Sequence, residues 1–104
     1  MLTHIVLFRR KAGIAKDADI ESQFFERLRH LDQQIDLIRG WKLNANELDR
    51  PTSWLYVLES RFESVEALDA YLKHPAHQAV VADLKAYFEW AACDYSEGLL
   101  EPRR

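Results

Sequence analysis

Tyr71, His74 and His77 fall within one stretch of seven residues, and a further histidine, His4, stands near the start of the chain. An imidazole titrates near working pH and can take a proton from carbon next to a carbonyl. A phenol beside it can donate to the enolate oxygen that develops. Tyr71 and His77 are therefore a candidate acid–base pair, His77 as base and Tyr71 as acid. If the substrate is already acidic, as a β-diketone is, no metal or organic cofactor is needed. The plainer reading is that both residues serve the fold, because a helix corner needs polar groups for its free termini. A lone histidine such as His4 on an apolar face is likewise more often a core residue satisfied in place. As metal ligands, His74 and His77 lack a third partner at any zinc-like spacing, with only Glu66 and Asp69 near in sequence. No Ser-His-Asp arrangement, phosphate loop or dinucleotide fingerprint is present.

The elements that must hold these groups can be read from the pattern. Ser64 is a good helix N-cap. Val65, Leu68 and Leu72 then recur at helical spacing with Tyr71 beside them. Pro75 stops that helix and suits the first position of the next, which leaves His74 to cap it and His77 on its first turn. The second helix carries Val80, Val81, Leu84 and Phe88. Upstream, Leu2 to Arg10 alternates as a strand, with His4, Val6 and Phe8 on one face and Ile5 and Leu7 on the other. Asp17 or Asp19 caps a helix with an apolar stripe of Ile20, Phe24, Leu28, Leu31 and Ile35, and Phe25 just off it. A second strand is expected over Asp36 to Asn46, where Gly40 marks a bulge or a close backbone approach. A turn containing Pro51 leads to a third strand, Trp54 to Phe62, with Trp54, Tyr56, Leu58 and Phe62 on one face. Trp90 to Tyr95 closes the chain as a last strand, and the residues around Pro102 read as a tail.

That order, β-α-β-β-α-β with the second α split in two, is the α+β, ferredoxin-like arrangement: four antiparallel strands with helices on one face. The helices can cover only that face, yet Ile5, Leu7, Leu55 and Val57 make the other face apolar as well. A second copy of the chain is the simplest cover, giving a homodimeric α/β barrel. His4, Val6, Phe8, Phe24, Leu28, Tyr56 and Leu58 are the expected lining of a pocket between helices and sheet for a small hydrophobic ligand. Trp54 and Tyr56 are large enough to fill that pocket instead.

The 104 residues suit one domain, 1–104. A net charge of −3 with scattered basic residues argues against nucleic acid as a partner. No apolar run approaches a membrane span, and Arg9 and Arg10 interrupt the first one too early for a signal peptide. Cys93 is alone, so no disulfide framework exists, and a soluble cytoplasmic protein is expected.

Thr3-His4-Ile5-Val6-Leu7-Phe8, Phe62-Glu63-Ser64-Val65-Glu66, Tyr71-Leu72-Lys73-His74-Pro75-Ala76-His77 and Asp94-Tyr95 follow one another in an order and spacing that resembles the stress-responsive dimeric α/β-barrel (Dabb) family. The resemblance implies a homodimer of ferredoxin-like subunits. In the family's olivetolic acid cyclase-like branch, a plant polyketide cyclase performs an intramolecular aldol condensation between helices and sheet. Its catalytic tyrosine and histidine fall on Tyr71 and His77, and a further pocket histidine falls on His4. Leu28 and Tyr56 depart from that enzyme, standing where it has a tyrosine and a histidine. The leading expectation is a Dabb-family domain with a pocket for a small aromatic or polyketide-like ligand. The alternatives are a cofactor-free cyclase or lyase using Tyr71 and His77, and a cofactor-free monooxygenase acting on an electron-rich aromatic.

Overall fold

A computed structural model describes residues 1–97. The strands are β1 (Leu2–Arg10), β2 (Gly40–Ala45), β3 (Tyr56–Phe62) and β4 (Phe88–Ser96); the helices are α1 (Ala18–Arg29), α2 (Val65–Lys73) and α3 (Pro75–Leu84). The strands form one sheet in the order β2-β3-β1-β4, and every neighbouring pair is antiparallel. This is the ferredoxin-like topology. The expected tail around Pro102 lies outside the described residues.

Register decides what each face carries. On β1, Leu2, His4, Val6 and Phe8 are buried beneath the helices, while Thr3, Ile5 and Leu7 are half-buried on the open side. Opposite His4 lie Ser60 on β3 and Asp94 on β4; opposite Val6 lie Leu58 and Ala92. The open face carries Ile5, Leu7 and Val57 from the two central strands, as the alternation predicts.

Each helix start is capped by a side chain. Asp17 accepts from the Ile20 amide at 3.1 Å and Ser64 from the Ala67 amide at 3.1 Å. His74, held extended before Pro75, accepts through Nδ1 from the Ala76 amide at 3.1 Å.

Several details differ from the sequence reading. The first helix ends at Arg29, and its last two apolar positions continue differently: Leu31 sits in a short 3-10 turn (Leu31–Gln33) and Ile35 in the turn after it. Phe25 rather than Phe24 takes the deeper position, because its ring stacks on Tyr56 at 3.9 Å. The second strand begins at Gly40, where an added Cβ would come within 3.0 Å of the Arg61 side chain, so the glycine marks a close approach. On α2 the buried residues are Leu68 and Tyr71, while Val65 faces outward and Leu72 is partly exposed. Phe88 opens β4 instead of closing the preceding helix.

A buried ion pair fixes α1 to the sheet. The Arg10 guanidinium donates to both Glu21 carboxylate oxygens, the longer contact at 2.9 Å, and the Tyr56 hydroxyl donates to Glu21 at 3.0 Å. Arg10 holds the Glu21 carboxyl below its ordinary value of 4.5, against the opposing effect of burial. Arg10→Ala should destabilise the fold by about 3 kcal/mol, because it strands a buried charge. The folded carboxyl titrates below the unfolded one, so the pair's contribution is complete above about pH 4.5 and is lost as pH falls through the lower folded value. Urea unfolding at pH 7 and pH 3 checks both statements: the difference between Arg10→Ala and wild type should shrink at pH 3.

Candidate functional site

His4 lies buried in the middle of β1, where its Nδ1–H donates to the Asp94 carboxylate on β4. The Ser60 hydroxyl donates to the His4 carbonyl at 3.3 Å from the other side. This bond to Asp94 fixes the orientation of the His4 ring, with Nδ1 turned to β4 as the donor.

Tyr71 ends up in the last turn of α2 because helical spacing puts it on the same buried face as Leu68. Its ring meets Phe62 at 4.9 Å, Trp41 at 6.1 Å, His4 at 6.4 Å and His77 at 4.5 Å. Trp41 is itself held by its indole N–H, which donates to the Leu28 carbonyl at 2.9 Å. His77 follows from Pro75: in the first turn of α3, its Nδ1–H donates to the Leu72 carbonyl at 3.0 Å. That bond satisfies one of the free carbonyls at the end of α2 and leaves His77 Nε2 able to accept.

Between these groups lies a cavity of about 330 Å³. His4, Tyr71, His77 and Asp94 supply its polar atoms; Val6, Phe8, Leu28 and Leu58 form its apolar base, and Val80, Val81 and Leu84 of α3 one wall. Leu72, Trp90 and Asp94 line it while remaining partly exposed, so they mark its mouth.

Burial sets the protonation of the pair. It pushes the Tyr71 phenol well above its ordinary 10.0, and no neighbouring charge opposes it. Tyr71 therefore remains an O–H donor at any working pH. Burial also lowers the His77 imidazole below its ordinary 6.5; the bond to Leu72 opposes this, and the nearby His4 and His74 rings add to it. His77 is thus neutral at pH 7, with a lone pair on Nε2.

Of the residues singled out by sequence, His4, Val6, Phe8, Leu28, Leu58, Tyr71 and His77 converge on this cavity. Phe24 and Tyr56 do not. Phe24 packs on Tyr87 at 5.3 Å, and Tyr56 is occupied by Phe25 and Glu21. Trp54 does not fill the cavity either: β3 starts only at Tyr56, and the Trp54 ring takes the Arg9 guanidinium at 4.3 Å. Sequence reasoning gave Asp94 and Trp90 no part in the site. The register of β4 against β1 was the signal for both, since Asp94 faces His4 and Trp90 faces Phe8. Among the described residues, no three His, Cys, Asp or Glu side chains cluster as metal ligands would.

The sequence model of the stress responsive A/B barrel domain, Dabb, matches residues 2–97. An uncharacterised protein of Streptomyces coelicolor is 36% identical over 95 residues, which is 91% of this chain and 98% of that protein. A dimeric protein of unknown function and ferredoxin-like fold from Bacteroides fragilis superposes with a TM-score of 0.79 at 26% identity, covering 91% of this chain and 94% of that one. A hydroxynitrile lyase from Passiflora edulis superposes with a TM-score of 0.82 at 18% identity, covering 97% and 96%. With its fold, and with the family's sequence model matched from β1 to the end of β4, the chain belongs to the stress responsive A/B barrel (Dabb) domain family.

Proposed function

We propose that this protein binds a small hydrophobic molecule in the cavity between its sheet and the α2–α3 corner. The observation that carries the reading is the cavity itself, with apolar walls and a few polar groups at one end. A cavity of roughly 150 Å³ accepts benzene, so about 330 Å³ suits a ligand near two rings in size. Val81 is half-buried on the wall, and Val81→Phe should fill the space without disturbing the core beneath. A thermal-shift panel of phenols, β-diketones and quinones checks this. The wild type should gain several degrees with at least one compound, and Val81→Phe should gain none while keeping the wild-type circular dichroism. Equal shifts in both proteins would sink the reading.

The protonation of Tyr71 and His77 favours a second, catalytic reading of the same cavity. A protonated phenol and a neutral imidazole, 4.5 Å apart between ring centres, suit removal of a proton next to a carbonyl. The Passiflora enzyme shares the fold alone, so this reading rests on the side chains.

The working unit is a homodimer in which the open sheet faces cover one another. The half-buried Ile5, Leu7, Leu55 and Val57 on that side support this, as do the dimeric Bacteroides neighbour and the family's own barrel architecture. No helix among the described residues is long and apolar enough to cross a membrane. The single free thiol, Cys93, fits a reducing compartment, and we place the protein in the cytoplasm.

A further inference from the structure

The cavity has an electrostatic asymmetry that the acid–base pair does not use. No lysine or arginine lines it, and Asp94 is the one acidic side chain among its lining residues. The Asp94 side chain is 46% exposed at the mouth, where it stands with Leu72 and Trp90, whereas its partner His4 is buried below. His4 gives its Nδ1–H to that carboxylate, so this donor is not free for a ligand. The Tyr71 hydroxyl inside the cavity is a neutral donor, as is the Trp90 indole at the mouth, and neutral donors suit a carbonyl oxygen. A ligand carboxylate would lose its water inside an apolar chamber, find no lysine or arginine there, and pass the Asp94 side chain on entry.

From this arrangement we propose that Asp94 sets the charge selectivity of the cavity: it admits uncharged carbonyl compounds and excludes the corresponding carboxylates. The inference rests on the cavity being the binding site. It adds what kind of ligand that site takes and names Asp94, acting at the mouth, as the residue that decides it.

The probes are 2-acetylnaphthalene and 2-naphthoate, which share a ring system and a carbonyl and differ in charge. Binding is titrated at pH 8 by quenching of tryptophan fluorescence, with Trp90 at the mouth as reporter. The wild type should bind the ketone at least about tenfold tighter than the carboxylate, a gap of about 1.4 kcal/mol. Asp94→Asn keeps the shape and removes the charge, so the gap should close mainly by a gain for 2-naphthoate. Leu72→Lys places a cation at the mouth from an exposed helix position and should close it independently, which guards against a poorly folded Asp94→Asn. Equal or tighter binding of 2-naphthoate by the wild type would overturn the charge selectivity and leave the cavity standing as a binding site. A gap unchanged in both variants would remove Asp94 as its determinant. Binding of neither probe to the wild type would overturn the cavity reading together with this one.

Discussion

Val57→Asp is expected to abolish the dimer. Val57 faces Leu7 across the β1–β3 ladder, and Leu7 faces Ala91 across the β1–β4 ladder, so the substitution lands in the middle of the open sheet face. In a two-fold assembly each substitution appears twice on one self-complementary surface. Each copy then buries a carboxylate beside apolar Leu7, at a cost of about 2 kcal/mol or more. Two such terms amount to a loss of at least about 10³-fold in dimer affinity. Leu7→Asp should act alike, while Val57→Thr, close in shape, should leave most of the dimer. Light scattering decides the matter: wild type at twice the 12.2 kDa chain mass and Val57→Asp at the single mass. A wild type that runs as a stable monomer would end the case for paired sheets.

Tyr71→Phe and His77→Ala are expected to slow exchange of a ketone's α-proton with deuterated water by about 10²–10⁴-fold each. The readout is proton NMR of a β-diketone or aryl ketone incubated with the protein. Tyr71→Phe is the sharper of the two. It removes one oxygen from a ring whose packing against Phe62, Trp41 and His77 is otherwise kept. Stability should therefore hardly change while exchange collapses. The acid limb of the pH profile should lie below the 6.5 of a free imidazole, because burial resists protonation of His77. As pH falls through that lowered value the base is protonated and the rate is lost. Exchange at the wild-type rate in both variants would leave the cavity a binding site without catalysis.

Much of this was legible in the chain because it is local. Alternation through β1 separated His4, Val6 and Phe8 from Ile5 and Leu7, and Pro75 fixed both the break between α2 and α3 and the capping by His74. What escaped depends on partners distant in sequence. Neighbouring positions on a helix differ by about 100°, so Phe24 and Phe25 both border the stripe, and contact with Tyr56 chooses Phe25. Strand face and the family resemblance both point Tyr56 to the pocket; Glu21 of α1, itself held by Arg10 of β1, draws it away. Asp94 lies 90 residues from His4, and only the pairing of the first and last strands brings them together.

That last strand has a consequence for how relatives can diverge. β4 is an edge strand, and beyond Phe88 and Glu89 its residues are exposed. Trp90, Ala92 and Asp94 belong to the cavity mouth, while Ala91, Cys93 and Tyr95 belong to the opposite sheet face. Substitutions at the even-numbered positions can therefore retune ligand choice while the odd-numbered ones stay free to preserve self-association. The two sets can drift independently because each has its own side of a single ribbon. A one-residue insertion near Glu89 would swap them, exchanging both properties in one step. Length should thus be held constant across this strand among descendants that keep the same assembly, however far their side chains wander.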